Sequence, residues 1–170
     1  MVVLGIDPGV ASTGFGVVRA AHATMTALDG GVIEAPPGER VEARLARIHA
    51  ALVELLQQHE PDAVALEDVY FGRNARSAIA VGQARGVVLL TAAQAGVPCF
   101  DYTPQVVKMS VCGSGAAAKE QVQRMVGRLL DVPEPRSDHT ADALAVAICH
   151  AGHSAAAFAS GVEDREVTVG

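Results

Sequence analysis

The order of apolar and polar positions predicts an N-terminal run of three strands. Residues 2–6 are apolar and mostly β-branched, and they end at Asp7-Pro8-Gly9. This pattern is typical of a buried strand followed by a turn. Residues 15–19 and 24–34 are expected to form a second and a third strand, with a bulge or turn at Asp29-Gly30-Gly31. Three consecutive strands predict an antiparallel meander.

Beyond the meander, the pattern alternates between helical and strand periods. Residues 39–59 predict a helix whose apolar face carries Val41, Leu45, Ile48, Leu52 and Leu55. The later elements are expected to be strand 63–66, helix 74–95, strand 97–102, a short helix capped by Thr103, helix 117–130, and a last helix capped by Ser137 or Asp138 and ending near Ala151. In the long helix, the spacing of Gly82 and Gly86 suits close packing against another element. The predicted class is α/β, with a mixed five-stranded sheet flanked by helices.

Length and composition limit the class of protein. A chain of 170 residues predicts a single domain, which we place at 1–151, followed by a flexible acidic tail over 152–170. The three cysteines lie far apart, which argues against a zinc site or a disulfide framework and fits a reducing cytosol. The N-terminus has no basic region before its apolar run, and no apolar stretch reaches 18 residues without a polar interruption. Neither a signal peptide nor a membrane span is therefore expected.

The charge is unevenly distributed along the chain. The net charge is -6, yet residues 73–128 hold seven Lys or Arg side chains against Asp101 and Glu120 only. A concentrated basic segment is typical of a nucleic-acid interface, although a solvated helix surface is the alternative. The basic side chains are Arg73, Arg76, Arg85, Lys108, Lys119, Arg124 and Arg128.

Acidic residues end two buried strands and begin one helix. Asp7 and Glu67 each follow an apolar strand, and parallel strands gather their carboxyl ends at one edge of a sheet. His139 and Asp142 are three residues apart on the last helix, so they share a face. Asp138 could instead cap this helix and Asp142 favour its dipole, but these roles leave the histidine unexplained. Asp7, Glu67, Asp142 and either His139 or Asp138 suit a divalent cation that acts on phosphate esters.

Five motifs together resemble the RuvC family of bacterial Holliday junction resolvases, over about residues 2–150. They are Gly5-Ile6-Asp7-Pro8-Gly9, Thr13-Gly14, Glu67 after a buried strand, Gly82-Gln83-Ala84-Arg85-Gly86 and Ala141-Asp142-Ala143-Leu144. The resemblance implies a ribonuclease H-like fold. It also implies a metal-dependent endodeoxyribonuclease that cuts four-way DNA junctions.

The resemblance further implies the roles of particular residues. Four positions correspond to the catalytic metal ligands, which are expected to hold two Mg²⁺ per subunit, with Mn²⁺ as a substitute: Asp7, Glu67, His139 and Asp142. Many family members carry Asp at the position of His139, so a contribution from Asp138 stays open. The DNA contacts are expected from Lys108 and Lys119, from Tyr70 with Phe71 beside it, and, in the basic segment, from Arg73 and Arg76. The two aromatic residues could alternatively be core residues.

The expected protein is a cytoplasmic homodimer that makes paired symmetric nicks in recombination and repair, leaving 5′-phosphate and 3′-hydroxyl ends. The RuvA–RuvB branch-migration complex is the partner implied by the resemblance. Three alternatives stay open. One is a ribonuclease H-like nuclease acting on flaps or RNA ends, and another is a catalytically silent junction-binding protein. The third is an actin-like ATPase or sugar kinase, against which the length argues because that class needs two such domains.

Overall fold

The computed structural model describes residues 1–22, 24–68, 75–135 and 137–160. Five strands form one sheet: β1 (Val2–Asp7), β2 (Ser12–Ala21), β3 (Thr24–Glu34), β4 (Ala63–Glu67) and β5 (Cys99–Tyr102). Five helices flank it: α1 (Val41–His59), α2 (Ala75–Ala95), α3 (Pro104–Cys112), α4 (Lys119–Leu130) and α5 (Asp138–Ser160). The strand order is β3-β2-β1-β4-β5. The predicted mixed five-stranded α/β architecture is confirmed.

The strand pairings place the acidic strand ends side by side. Strands β1, β2 and β3 are antiparallel neighbours, as the meander predicted, and β4 lies parallel to β1. Ile6 of β1 is in register with Leu66 of β4, so the next residues, Asp7 and Glu67, leave the sheet at the same edge. Parallel pairing thus brings together two carboxylates that lie sixty positions apart in the chain.

Helices cover both faces of the sheet, and β1 is buried on both sides. Leu4 and Ile6 pack with the apolar faces of α1 and α2, whereas Val3 packs with α3, α4 and α5 on the other face. Alternate side chains of a strand point to opposite faces, so β1 supplies both cores. A strand that is buried on both faces explains the unbroken apolar run at the start of the sequence.

Helix α5 lies close against β1 and β2 because two glycines leave room for it. A Cβ atom at Gly5 would overlap the carbonyl oxygen of Ala143, and a Cβ at Gly14 would overlap that of His139. No side chain larger than hydrogen fits at either position unless the helix moves. These glycines therefore set the distance between the first turns of α5 and the end of β1.

Several element boundaries differ from the sequence prediction. The irregularity in β3 lies beside the predicted glycines, where Val17 pairs with Asp29 and Val18 with Ala27, leaving Leu28 as the extra residue. Helix α5 continues past residue 151 to Ser160, so the expected start of a flexible tail at 152 does not match the helix. Residues 161–170 lie outside the described part.

Helix α2 exposes large apolar side chains. Ile79 is 63% exposed and Leu90 57% exposed. Outside the backbone of α2 itself, no atom of the described residues lies within 4 Å of a Cβ placed at Gly82 or Gly86. The close packing predicted there is therefore not found among the described residues.

By length and composition alone, one described helical segment, residues 77–95 of α2, could cross a membrane. Core helices of proteins in solution meet the same criterion. Arg85 lies within this segment and forms an ion pair with Asp101 of β5 at 2.5 Å, where both side chains are about one-fifth exposed. This pair joins α2 to the sheet, and it removes Arg85 from the basic surface that the charge distribution predicted.

Candidate active site

The turn after β1 is held in place from within the sheet. The hydroxyl of Thr13, which is fully buried, donates a hydrogen bond to the carbonyl oxygen of Gly9 at 2.6 Å. Asp7 precedes this turn and pairs in register with Gly14 of β2. Thr13 thereby fixes the turn that directly follows Asp7. Sequence reasoning matched the Thr13-Gly14 motif without recognising this role, which a threonine next to a glycine in a strand does not by itself reveal.

Glu67 lies at the end of β4 in a low-dielectric, negatively charged setting. Burial is the largest cause that raises the pKa of its carboxyl group, and the negative charges of Asp142 and Asp7 raise it further, to about 7. Lys119 and Lys108 oppose the shift more weakly. The three carboxylates therefore repel one another, and a cation bound among them would relieve that repulsion.

The first turns of α5 bring His139 and Asp142 to the same edge. The Nδ1 atom of His139 lies 2.6 Å from Oδ2 of Asp7. Burial raises the pKa of Asp142, while a hydrogen bond from Lys119 acts in the opposite direction. The close approach of α5 at Gly14 makes the contact between His139 and Asp7 possible.

Both lysines of the sequence prediction reach this site. Lys119 Nζ lies 3.1 Å from Oδ2 of Asp142. Lys108 lines the same cleft, which has a volume of about 220 Å³ and opens between β4, α3, α4 and α5. Its walls are Glu67, Pro104, Val107, Lys108, Lys119, Val122, Asp142 and Ala145. The cleft is thus lined by two carboxylates and two lysines, a combination that suits a phosphodiester bound together with a metal.

Asp138 lies beside the site but uses its carboxylate differently from a helix cap. Helix α5 begins at Asp138 itself. Its Oδ1 accepts a 2.6 Å hydrogen bond from Gln123 of α4, and its Oδ2 lies 3.3 Å from Lys119 Nζ. The hydrogen bond from Lys119 is the main cause that lowers the pKa of Asp138. Sequence reasoning missed Gln123, although its position four residues after Lys119 places both on one face of α4.

The donor set fits a hard divalent cation by its chemistry. Carboxylates are ordinary ligands for Mg²⁺ and Mn²⁺, and the imidazole adds one softer nitrogen donor. Within 1–22, 24–68, 75–135 and 137–160, however, no three His, Cys, Asp or Glu side chains already stand in a metal-binding arrangement. In this arrangement His139 is hydrogen-bonded to Asp7, and Lys119 to Asp142. A metal would replace both contacts.

The remaining DNA-binding candidates are not placed by the structure. Tyr70, Phe71 and Arg73 fall at 69–74, outside the described residues. Arg76 belongs to α2, but its side chain is not among those described. Their predicted roles stay predictions.

A ribonuclease H-like sheet with carboxylates at the ends of β1 and β4 and on the first turns of α5 defines the class as a metal-dependent nuclease of that fold. Residues 3–150 match the family model described as "Crossover junction endodeoxyribonuclease RuvC". The chain belongs to the RuvC family, as the sequence motifs predicted.

Individual relatives agree with this assignment over nearly the whole chain. The RuvC of Moorella thermoacetica is 51% identical over 152 residues, covering 89% of this chain and 91% of the relative. That of Pelotomaculum thermopropionicum is 48% identical over 154 residues, covering 90% and 94%. Among solved structures, T. thermophilus RuvC in complex with a Holliday junction substrate is 44% identical, with a TM-score of 0.87 and coverage of 91% and 94%.

Proposed function

We propose that this protein is an endonuclease that resolves four-way DNA junctions by paired symmetric nicks during homologous recombination and repair. One observation carries the proposal. In a chain of the RuvC family, the carboxylates of Asp7, Glu67 and Asp142 meet at one edge of the sheet, and two lysines line the same cleft.

Four side chains are proposed to hold the metal: Asp7, Glu67, His139 and Asp142. We expect two Mg²⁺ ions per subunit, with Mn²⁺ as an effective substitute. When bound, such ions lower the pKa of a coordinated water and stabilise the leaving 3′ oxygen. The role of the protein is to hold the four donors at fixed positions on β1, β4 and α5. Hydrolysis would leave a 5′-phosphate and a 3′-hydroxyl, which a ligase can rejoin.

The lysines are proposed to bind the scissile phosphate. Lys108 and Lys119 line the carboxylate cleft from α3 and α4, which supports a role for each in neutralising a phosphate oxygen. Arg73 and Arg76 are proposed to contact the DNA backbone farther away. Tyr70, with Phe71 beside it, is proposed to stack on unpaired bases at the junction centre, since aromatic rings bind exposed bases in this way.

Helix α2 is proposed to join two copies of this chain. Its exposed face presents Ile79, Gly82, Gly86 and Leu90 at helical spacing. Two glycines allow a second helix to approach closely, and the exposed Ile and Leu give it apolar surface to bury. A two-fold homodimer would also place two equivalent active sites on symmetric strands of a junction. We extend the proposal to action in the cytoplasm together with the RuvA–RuvB branch-migration complex.

The test is to incubate the protein with a synthetic mobile four-way junction and Mg²⁺ and to map the nicks at nucleotide resolution. Paired nicks at symmetric positions with ligatable ends support the proposal. Asp7→Asn is the matched control, because it removes one charged ligand while keeping the size of the side chain, and it should bind the junction without cutting it.

Competing substrates separate the alternatives in the same experiment. Preferential cutting of flaps or RNA ends would favour a different ribonuclease H-like nuclease. Binding of ATP without any cutting would point to the actin-like class. Binding of junctions by a wild-type protein that never cuts them would contradict the enzymatic proposal.

A further inference from the structure

Lys119 is held between two carboxylates of α5 that lie one helical turn apart. Its Nζ atom is 3.1 Å from Oδ2 of Asp142 and 3.3 Å from Oδ2 of Asp138. The two acids differ in their surroundings, since the Asp142 side chain is 27% exposed and that of Asp138 is 62% exposed. Asp142 belongs to the proposed metal site, whereas Asp138 points away from it toward α4.

Asp138 is itself held in place by a second residue of α4. Gln123 donates a 2.6 Å hydrogen bond to Oδ1, which leaves Oδ2 for Lys119. Lys119 and Gln123 are four residues apart on α4 and therefore share a face. Asp138 thus contacts two side chains of α4, and these contacts hold its carboxylate beside the Lys119 ammonium.

A divalent cation on Asp142 would change the position of Lys119. The ammonium and the metal carry the same sign of charge, so they repel each other and compete for the same oxygen. A lysine that loses its partner regains the motion of a flexible four-carbon stem. Asp138 remains available as a partner because Gln123 holds it outside the metal ligands.

We propose that Asp138 is a positioning residue: it keeps the Lys119 ammonium beside the cleft when Asp142 turns to the metal, and it plays no part as a ligand. This inference rests on the proposed metal-dependent cleavage. It assigns the tandem Asp138-His139 two separate roles, with His139 facing Asp7 and Asp138 facing Lys119. Asp138 therefore affects the reaction by holding Lys119 in position.

The test is a double-mutant cycle with Asp138→Asn and Lys119→Met. Asp138→Asn keeps the size of the side chain but removes its charge. In the wild-type background it should slow single-turnover cleavage of a pre-bound junction at saturating Mg²⁺ by about tenfold, as expected for a displaced catalytic group. In the Lys119→Met background the same change should alter the rate by less than about twofold, because no lysine remains to be positioned.

A binding measurement without DNA distinguishes positioning from metal ligation. Mn²⁺ affinity is measured by calorimetry on the four proteins of the cycle. Asp138→Asn leaves Lys119 on Asp142 alone, so it should weaken Mn²⁺ binding by about fivefold, which is the scale of a partly exposed ion pair. This loss should vanish in the Lys119→Met background. Asp138→Glu should restore both readouts.

The matched control is Glu120→Gln, which removes a carboxylate from the first turn of α4. Glu120 forms no ion pair with the described residues. The effect of Glu120→Gln on Mn²⁺ affinity measures the loss of one nearby negative charge. This effect is subtracted from the loss measured for Asp138→Asn. Equal losses of Mn²⁺ affinity in both backgrounds would make Asp138 a ligand, and no loss in either would make it a surface residue. Both outcomes overturn the inference. Because this binding cycle needs no cleavage, failure of the proposed reaction would be recognised separately.

Discussion

At the scale of single residues, the site is a balance of opposing charges in a partly buried setting. Glu67 has a pKa near 7 because burial and the two neighbouring aspartates disfavour its ionised form. Its ordinary value is 4.5, so the folded metal-free protein binds a proton here that the unfolded chain releases. Stability from this residue is therefore present below pH 4.5 and is lost as pH rises toward 7.

Replacement of Glu67 by glutamine should remove this pH dependence. In a chelator at pH 8, Glu67→Gln should be more stable than wild type by at most about 3 kcal/mol, with a rise in Tm of roughly 5–10 °C. At pH 4.5 the two should be nearly equal, because both carry a neutral side chain there. Thermal unfolding across pH 4.5–8 checks this, with the exposed Glu54→Gln on α1 as the control. A constant difference in Tm across that range would contradict the assignment.

His139 is the position where this chain departs from an all-carboxylate site. An imidazole is a softer ligand than a carboxylate, so it favours Mn²⁺ over Mg²⁺ relative to an all-acid site. His139→Asp should raise the ratio of the cleavage rate in Mg²⁺ to that in Mn²⁺ by about threefold or more. His139→Asn, which supplies a neutral oxygen, serves as the control. Unchanged ratios in both variants would remove His139 from the metal ligands.

At the scale of secondary-structure elements, the site depends on how closely α5 approaches the meander. Gly5 and Gly14 leave no space for a side chain, so the helix lies directly on β1 and β2. The same approach brings His139 within hydrogen-bonding distance of Asp7. The spacing of the elements and the geometry of the proposed metal ligands are thus set by the same backbone contacts.

Gly14→Ala should therefore damage both cleavage and stability. The added Cβ meets backbone atoms of His139, which can move only if the start of α5 moves with them. Overpacking of this kind costs about 1–3 kcal/mol, while a ligand displaced by about 1 Å costs about 100-fold in rate. Thermal unfolding and single-turnover cleavage are measured together. Gly152→Ala on the same helix is the control, since among the described residues outside its own helix its Cβ would meet only Ser110 Oγ, at 3.7 Å. Matching rate losses in the two variants would contradict this account.

At the scale of the whole molecule, α2 has one face joined to the sheet and another face that is exposed in the described structure. It is joined to the sheet through Arg85 and Asp101, yet its opposite face exposes Ile79 and Leu90. Burying the exposed apolar side chains of α2 would lower the free energy of the protein, and the two glycines would allow a second helix to approach closely enough to bury them.

Leu90→Lys should dissociate the proposed homodimer. Two symmetric lysines would bring like charges into an apolar interface, so the dimer dissociation constant should rise by about 100-fold or more. Sedimentation velocity across a concentration series measures it. Met109→Lys on α3 is the matched control. Met109 is 56% exposed, close to the 57% of Leu90, but it lies on another helix. Equal effects of the two substitutions, or a wild-type protein that is monomeric throughout, would place the interface elsewhere.

The sequence by itself determined the order of the strands and helices and the chemical types of the side chains proposed to bind the metal. Apolar runs ending at Asp7 and Glu67 predicted two buried strands, because a strand covered on both faces needs continuous apolar residues. The spacing of His139 and Asp142 predicted one helix face, because helical geometry relates residues three apart. These are local rules, so they could be applied without knowing the fold.

Only the tertiary structure decided which partner each charged residue has. Arg85 pairs with Asp101, and Asp138 with Gln123 and Lys119, although the sequence allowed a basic surface and a helix cap. Ion pairs and close approaches join residues distant in the chain, so their geometry depends on packing that no local pattern encodes.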